Sequence, residues 1–251
     1  MNLLTLADGF GDSVAVPNWY PTYYKWPKII ELMTHDLAVC DFSRYGAGNE
    51  YLVNVLKQHI ASSDAVLLQW TIPNRLDLVL DASNQAWQEV ISSDPVYHDN
   101  VVKLNNHDFW LSSSSKVTKV QDYHRTYISL SQHQLRSQLF IDYAKLLINQ
   151  HQVNYRFMLT WDSLYLEDNV ANDINWSWHT PFKGMHDFRY HSKFSELDLG
   201  ITQPIPLIHY DFIKQFIMPY LNLPWRSERE LAAVETMLYK HYQESIPNKP
   251  A

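Results

Sequence analysis

Glycine is the residue this chain lacks most. It has 6 in 251 positions, where average usage of about 7% would give roughly 18. Four of the six fall in two short stretches, Gly9 with Gly11 and Gly46 with Gly48, which suggests placement where the backbone needs positive φ or a ligand needs close approach. Cysteine is nearly absent as well. The single Cys40 permits no internal disulfide, and in its apolar, strand-like run it is expected to be a small buried hydrophobe rather than a thiolate nucleophile. A basic stripe is missing, and the formal charge is −7, so a nucleic-acid backbone is not expected as partner. No run of about 18 apolar residues and no basic, apolar leader occurs, so neither a membrane partner nor export is expected and the cytoplasm is the expected compartment.

What the chain has in quantity is apolar and aromatic surface. Hydrophobic residues make up 46% and charged ones 19%, with 9 Trp and 16 Tyr, which excludes an intrinsically disordered chain and leaves enough material for a sizeable core.

The first 75 residues read as an alternation. Asn2–Leu6 is a strand emptying into Asp8-Gly9-Phe10-Gly11-Asp12-Ser13. Trp26-Pro27 opens a helix, since proline is tolerated at its first positions. Leu37–Phe42 is a second strand, followed by Gly46-Ala47-Gly48-Asn49, where Asn49 is a candidate cap for the next helix. Ala65–Trp70 is a continuously apolar third strand of the type buried on both faces of a parallel sheet. Such alternation implies right-handed crossovers.

Beyond that, residues at about 76–120 and 161–200 read as insertions, the first with a short hairpin near Asp108–Leu111. Between them a long helix is expected over Tyr123–Gln150, with Leu130, Leu135, Leu139, Tyr143, Leu146 and Leu147 inward, and then a strand over Tyr155–Thr160. Pro206–Leu221 reads as helix, and Ser227 with Glu230 as the capping box of a terminal helix at about 227–243. The fold class is α/β, a single three-layer α/β/α domain with a parallel sheet of four or five strands and a flavodoxin-like winding.

The ordered motifs resemble the SGNH/GDSL hydrolase superfamily. Gly11-Asp12-Ser13 stands for its first block, Gly46 in Ser43-Arg44-Tyr45-Gly46 for its second, the Thr71–Asn74 loop for its third, and Gln203-Pro204 running into Leu207-Ile208-His209-Tyr210 for its last. The resemblance spans nearly the whole chain outside the insertions. It implies an esterase or deacetylase acting on an acylated small molecule or glycan, without cofactor or metal. Ser13 would be the nucleophile, His209 its base and Asp12 a third catalytic candidate, with Gly46, Asn74, Asn49 and Arg75 binding substrate or the oxyanion.

The last block departs from the family pattern. Gln203 stands where the family has its histidine and Gly200 where it has its aspartate, and glutamine takes no proton at neutral pH. Counting from the strand end, Gly9 is the alternative occupant of the nucleophile turn. The other reading is therefore a catalytically degenerate protein with a binding or structural role, and the resemblance suits a bacterial or phage chain. Trp161, Trp176, Trp178, His179 and Phe182 form either a sugar-stacking platform or a satellite core. His124 with His133, and His186 with His191, lack metal-ligand spacing.

Overall fold

The computed structural model describes residues 1–7, 25–44, 46–71, 77–80, 101–104, 107–111, 122, 126, 129–159, 188–197 and 204–245. Its centre is a four-stranded, all-parallel sheet of β1 (Asn2–Leu6), β2 (Ala38–Asp41), β3 (Ala65–Trp70) and β7 (Asn154–Leu159), in the order β2-β1-β3-β7. The sequence between β3 and β7 supplies a separate three-stranded antiparallel sheet of β4 (Asp77–Leu80), β5 (Val101–Leu104) and β6 (His107–Leu111), with β6 central. The hairpin expected in the first insertion is therefore present, with a third strand beside it.

Alternation along the strands divides the core into two layers. Leu3 and Ala7 of β1, with Ala65 and Leu67 of β3 and Met158 of β7, face α1 (Trp26–Met33), α4 (Pro206–Phe212) and α5 (Glu228–Ser245). Leu4 and Leu6, with Val66, Leu68, Trp70, Phe157 and Leu159, face α2 (Asn49–His59) and α3 (Leu130–His151). All six residues of β3 are buried, as its two-sided apolar sequence requires. Each buried leucine contributes roughly 2 kcal/mol of transfer free energy, so these alternating side chains are what hold the strands in register.

Helix boundaries follow local chemistry. Pro27 sits in the first turn of α1, and the Ser227 amide donates to Glu230 Oε2 at 2.9 Å ahead of α5. The helix begun by α4 continues as a π-helical turn over Ile213–Ile217.

Three expectations are corrected. Cys40 is exposed rather than buried, because β2 is an edge strand that leaves most of its side chains in solvent. The long helix begins at Leu130 rather than Tyr123, after its capping residue Ser129. Its inward face is also rotated: Leu135, Leu139 and Leu146 are 65%, 60% and 67% exposed and Tyr143 is 39% exposed, whereas His133, Ser137, Ile141, Ala144, Leu147 and Ile148 are buried. That face packs Ile141, Ala144, Leu147 and Ile148 into the core, and beside it Ser137 Oγ accepts from Asn49 Nδ2 at 3.0 Å and Arg136 pairs with Glu50 of α2.

Candidate functional site

In doubly wound sheets, ligands gather at the carboxyl ends of strands where the winding reverses. Here β1 and β2 are wound one way and β3 and β7 the other, so the reversal falls between β1 and β3. The β1–β2 side stays joined beyond the strands, with the Phe42 amide donating to Thr5 O and the Arg44 amide to Ala7 O, each at 3.0 Å. Thr5 Oγ1 and Ser43 Oγ add hydrogen bonds to Asp41 Oδ1, at 2.9 and 2.6 Å. The β1–β3 register pairs Leu6 with Leu68, and one further step along both strands sets Gln69 beside Ala7.

On the α2 side of this edge, polar groups are paired within the chain. Gly46 adopts φ 81, a left-handed conformation that glycine takes without steric cost. The turn leads to Gly48, which caps α2. Asp77, at the start of β4, projects its carboxylate onto the helix N-terminus and accepts from the amides of Gly48 at 2.8 Å and Tyr51 at 2.7 Å. Helix N-termini attract carboxylates and other acceptors through their free N–H groups and dipole, and here the carboxyl group is the chain's own. Burial pushes the Asp77 carboxyl up to about 7, against the two N–H donors that hold it down. The neighbouring Tyr51 phenol is likewise pushed up by burial, to about 12.

Asn49 does not cap α2. It lies inside the first turn, where its Oδ1 accepts from the Thr71 amide at 3.1 Å and its Nδ2 donates to Thr71 O at 3.3 Å and to Ser137 Oγ. Its side chain thus pins the exit of β3 to α2 and α3, which uses the hydrogen-bonding capacity a ligand would need.

The α1 side differs. Lys25 precedes α1 and is only 7% exposed. The next residue, Trp26, donates its indole N–H to Gln69 Oε1 at 2.8 Å, both side chains being wholly buried. His209, in α4, is 1% exposed and its Nε2 lies 3.0 Å from Pro204 O. A carbonyl only accepts, so Nε2 carries the proton and donates, leaving Nδ1 as the unprotonated nitrogen. Burial first, and the nearby Lys25 ammonium second, push the imidazole down to about 3. Neither His209 Nδ1 nor Gln69 Nε2 has a hydrogen-bond partner among the described residues. Buried polar atoms of this kind are uncommon and call for an explanation.

The expected site residues are thus divided. Gly46 and Asn49 lie together on the α2 side, and His209 lies in the α1-side layer. Ser13, Asp12, Asn74 and Arg75 lie outside the described residues, as do Gly9, Gly200, Gln203, His124, His186 and the Trp161–Phe182 aromatic group. The carboxylate nearest His209 in sequence, Asp211, is engaged elsewhere, accepting from Ser192 Oγ at 2.6 Å, Gln215 Nε2 at 2.8 Å and the Lys193 amide at 3.2 Å. Among the described residues no group of His, Cys, Asp and Glu side chains has the arrangement of a metal site, and no helix is long and apolar enough to cross a membrane.

Lys25 and Asp77 carried no sequence signal as site residues. Gln69 did carry one: an amide in the penultimate position of a strand buried on both faces has to be paired or used.

The fold and site define a doubly wound parallel α/β protein with a polar cluster at the β1–β3 reversal. No protein-family model and no curated protein matches the chain.

Proposed function

We propose that this chain is an SGNH/GDSL-like protein that binds an acylated small molecule or glycan at the carboxyl edge of β1 and β3, without ester hydrolysis driven by His209. The observation that carries this reading is the state of His209. A general base works best with a pKa near the operating pH, and this imidazole is pushed down to about 3. It is also tied through Nε2 to Pro204, and no carboxylate among the described residues acts on its charge. Gln203 and Gly200 at the positions of the family's base and its aspartate support the same reading.

The second reading is a carboxylic-ester hydrolase with Ser13 as nucleophile and Gly46 and Asn74 as oxyanion donors. It is favoured by the left-handed glycine turn at Gly46, which suits a backbone donor loop.

Treatment with a fluorophosphonate probe and with p-nitrophenyl acetate separates the two. Binding without hydrolysis gives no label on Ser13 and identical background turnover in the wild type and in Ser13→Ala. Labelling of Ser13 together with turnover abolished by Ser13→Ala establishes the hydrolase instead. A thermal-shift screen against O-acetylated sugars is expected to show saturable stabilisation, and a flat response across the panel overturns the binding reading.

A further inference from the structure

Helix α3 is apolar on two sides, and the core takes up one of them. Ile141, Ala144, Leu147 and Ile148 pack inward, while Gln132, Leu135, Leu139, Asp142, Leu146 and Asn149 are all exposed. Along the chain these six are spaced alternately three and four residues apart, the alternation that lines up a seam between two paired helices. Tyr143 is exposed beside them.

Such a seam is not a general property of the surface. Helix α5 also lays one side on the core, through Leu231, Val234, Leu238 and Tyr242, but its solvent side carries Glu228, Arg229, Thr236, Lys240 and Glu244. A helix with apolar residues on opposite sides suits a place between two packed layers, and the outer leucines of α3 meet solvent instead.

The order of residues along the seam indicates what fits it. When α3 is laid antiparallel on a second copy about a twofold axis passing between Phe140 and Ile141, Leu135 of each copy lies opposite Leu146 of the other, and Gln132 opposite Asn149. Near the axis Leu139 lies opposite Asp142, whose carboxylate already accepts from Gln138 Nε2 at 2.9 Å. Leucine thus meets leucine and amide meets amide, the self-complementarity that an interface between identical subunits requires. An unrelated partner places no such requirement on the sequence. Charge agrees, since the chain as a whole carries −7 but α3 sets the single acidic Asp142 against Arg136 and Lys145. Area agrees as well. A stable dimer buries about 800 Å² on each partner, and three leucines with Tyr143 supply an apolar centre on the order of several hundred Å² on a helix about 33 Å long.

We propose that α3 is a dimerisation face, pairing antiparallel with α3 of a second copy through Leu135, Leu139 and Leu146. This stands whether or not the ligand proposed above is bound.

Sedimentation equilibrium of the full chain at micromolar concentration is expected to give twice the 29.6 kDa of one chain. Leu139→Lys is expected to weaken the dimer by about tenfold or more, with the circular dichroism of the monomer unchanged. Asp142→Leu extends the apolar seam and is expected to tighten the dimer by about tenfold, a gain that misfolding cannot mimic. Register is read with a short bismaleimide crosslinker in a Cys40→Ser background. Gln132→Cys combined with Asn149→Cys is expected to crosslink two copies, and neither substitution alone is.

A chain that stays monomeric up to millimolar concentration overturns the inference, as does a dimer that Leu139→Lys leaves intact. Crosslinking by Gln132→Cys alone overturns the antiparallel arrangement. If the wild type is monomeric and Leu139→Lys lowers its thermal stability, a segment of the same chain covers the seam. If it is monomeric and the variant only abolishes crosslinking to another protein, the partner is foreign. Either of these results overturns the second copy as occupant.

Discussion

The two faces of the sheet end differently at the same edge. On the α2 face, Asp77 occupies the helix N-terminus and Asn49 satisfies the backbone of Thr71. On the α1 face, Lys25, Gln69 and His209 are each buried, and Gln69 Nε2 and His209 Nδ1 lack hydrogen-bond partners among the described residues. The same edge is therefore sealed by the chain's own carboxylate on one face and carries buried polar atoms without partners among the described residues on the other. A helix N-terminus following a glycine turn does not by itself mark a ligand site, because an acidic side chain from a later strand can fill it.

The widest separation between the faces is expected from Asp77→Ala. It leaves two buried N–H donors without an acceptor, at about 1–3 kcal/mol each, and is expected to lower unfolding free energy in urea by about 2–5 kcal/mol. A loss below about 1 kcal/mol would mean the α2 terminus is not sealed by this carboxylate.

Asn49→Ala removes hydrogen bonds to both backbone groups of Thr71 and to Ser137 and is expected to cost about 2–3 kcal/mol, measured in the same way.

The faces also differ in the sign of their pH dependence. Asp77 is raised to about 7 in the folded state, so the native protein binds its proton more tightly than the unfolded chain does. Its contribution is greatest below about pH 4 and is lost as pH rises towards 7. His209 is lowered to about 3, so its contribution is present above about pH 6.5 and is lost as pH falls towards 3. Each group acts with a slope approaching 1.4 kcal/mol per pH unit. Urea titrations between pH 4 and 6.5 are expected to show stability rising more steeply with pH in Asp77→Asn, and more shallowly in His209→Phe, than in the wild type. Slopes that do not diverge would contradict the assignment.

The fold was more legible in the sequence than the site. β3 and the proline-opened start of α1 lie where apolar runs and turn chemistry put them, because those signals are local. The rotation of α3 was not legible. Leu135, Leu139 and Leu146 form the more conspicuous apolar stripe, yet the face that packs is the helically spaced Ser137, Ile141, Ala144 and Ile148, with Leu147 buried as expected and Ser137 bonded to α2. Cys40 was misplaced for a related reason, since an apolar run does not say whether its strand is central or at the edge. In the site, His209 was recognised as a residue, but its protonation state depends first on its burial and then on Lys25 and Pro204, which only the folded chain brings to it. Asp77 was invisible because its partners are the backbone amides of residues 26 and 29 positions earlier.

The most direct test is an NMR titration of the histidine rings of the full chain, with His209→Phe identifying the His209 signals. The account predicts an imidazole that stays neutral, with its proton on Nε2, until the pH falls towards about 3; a His209 signal that titrates near pH 6.5 would contradict it.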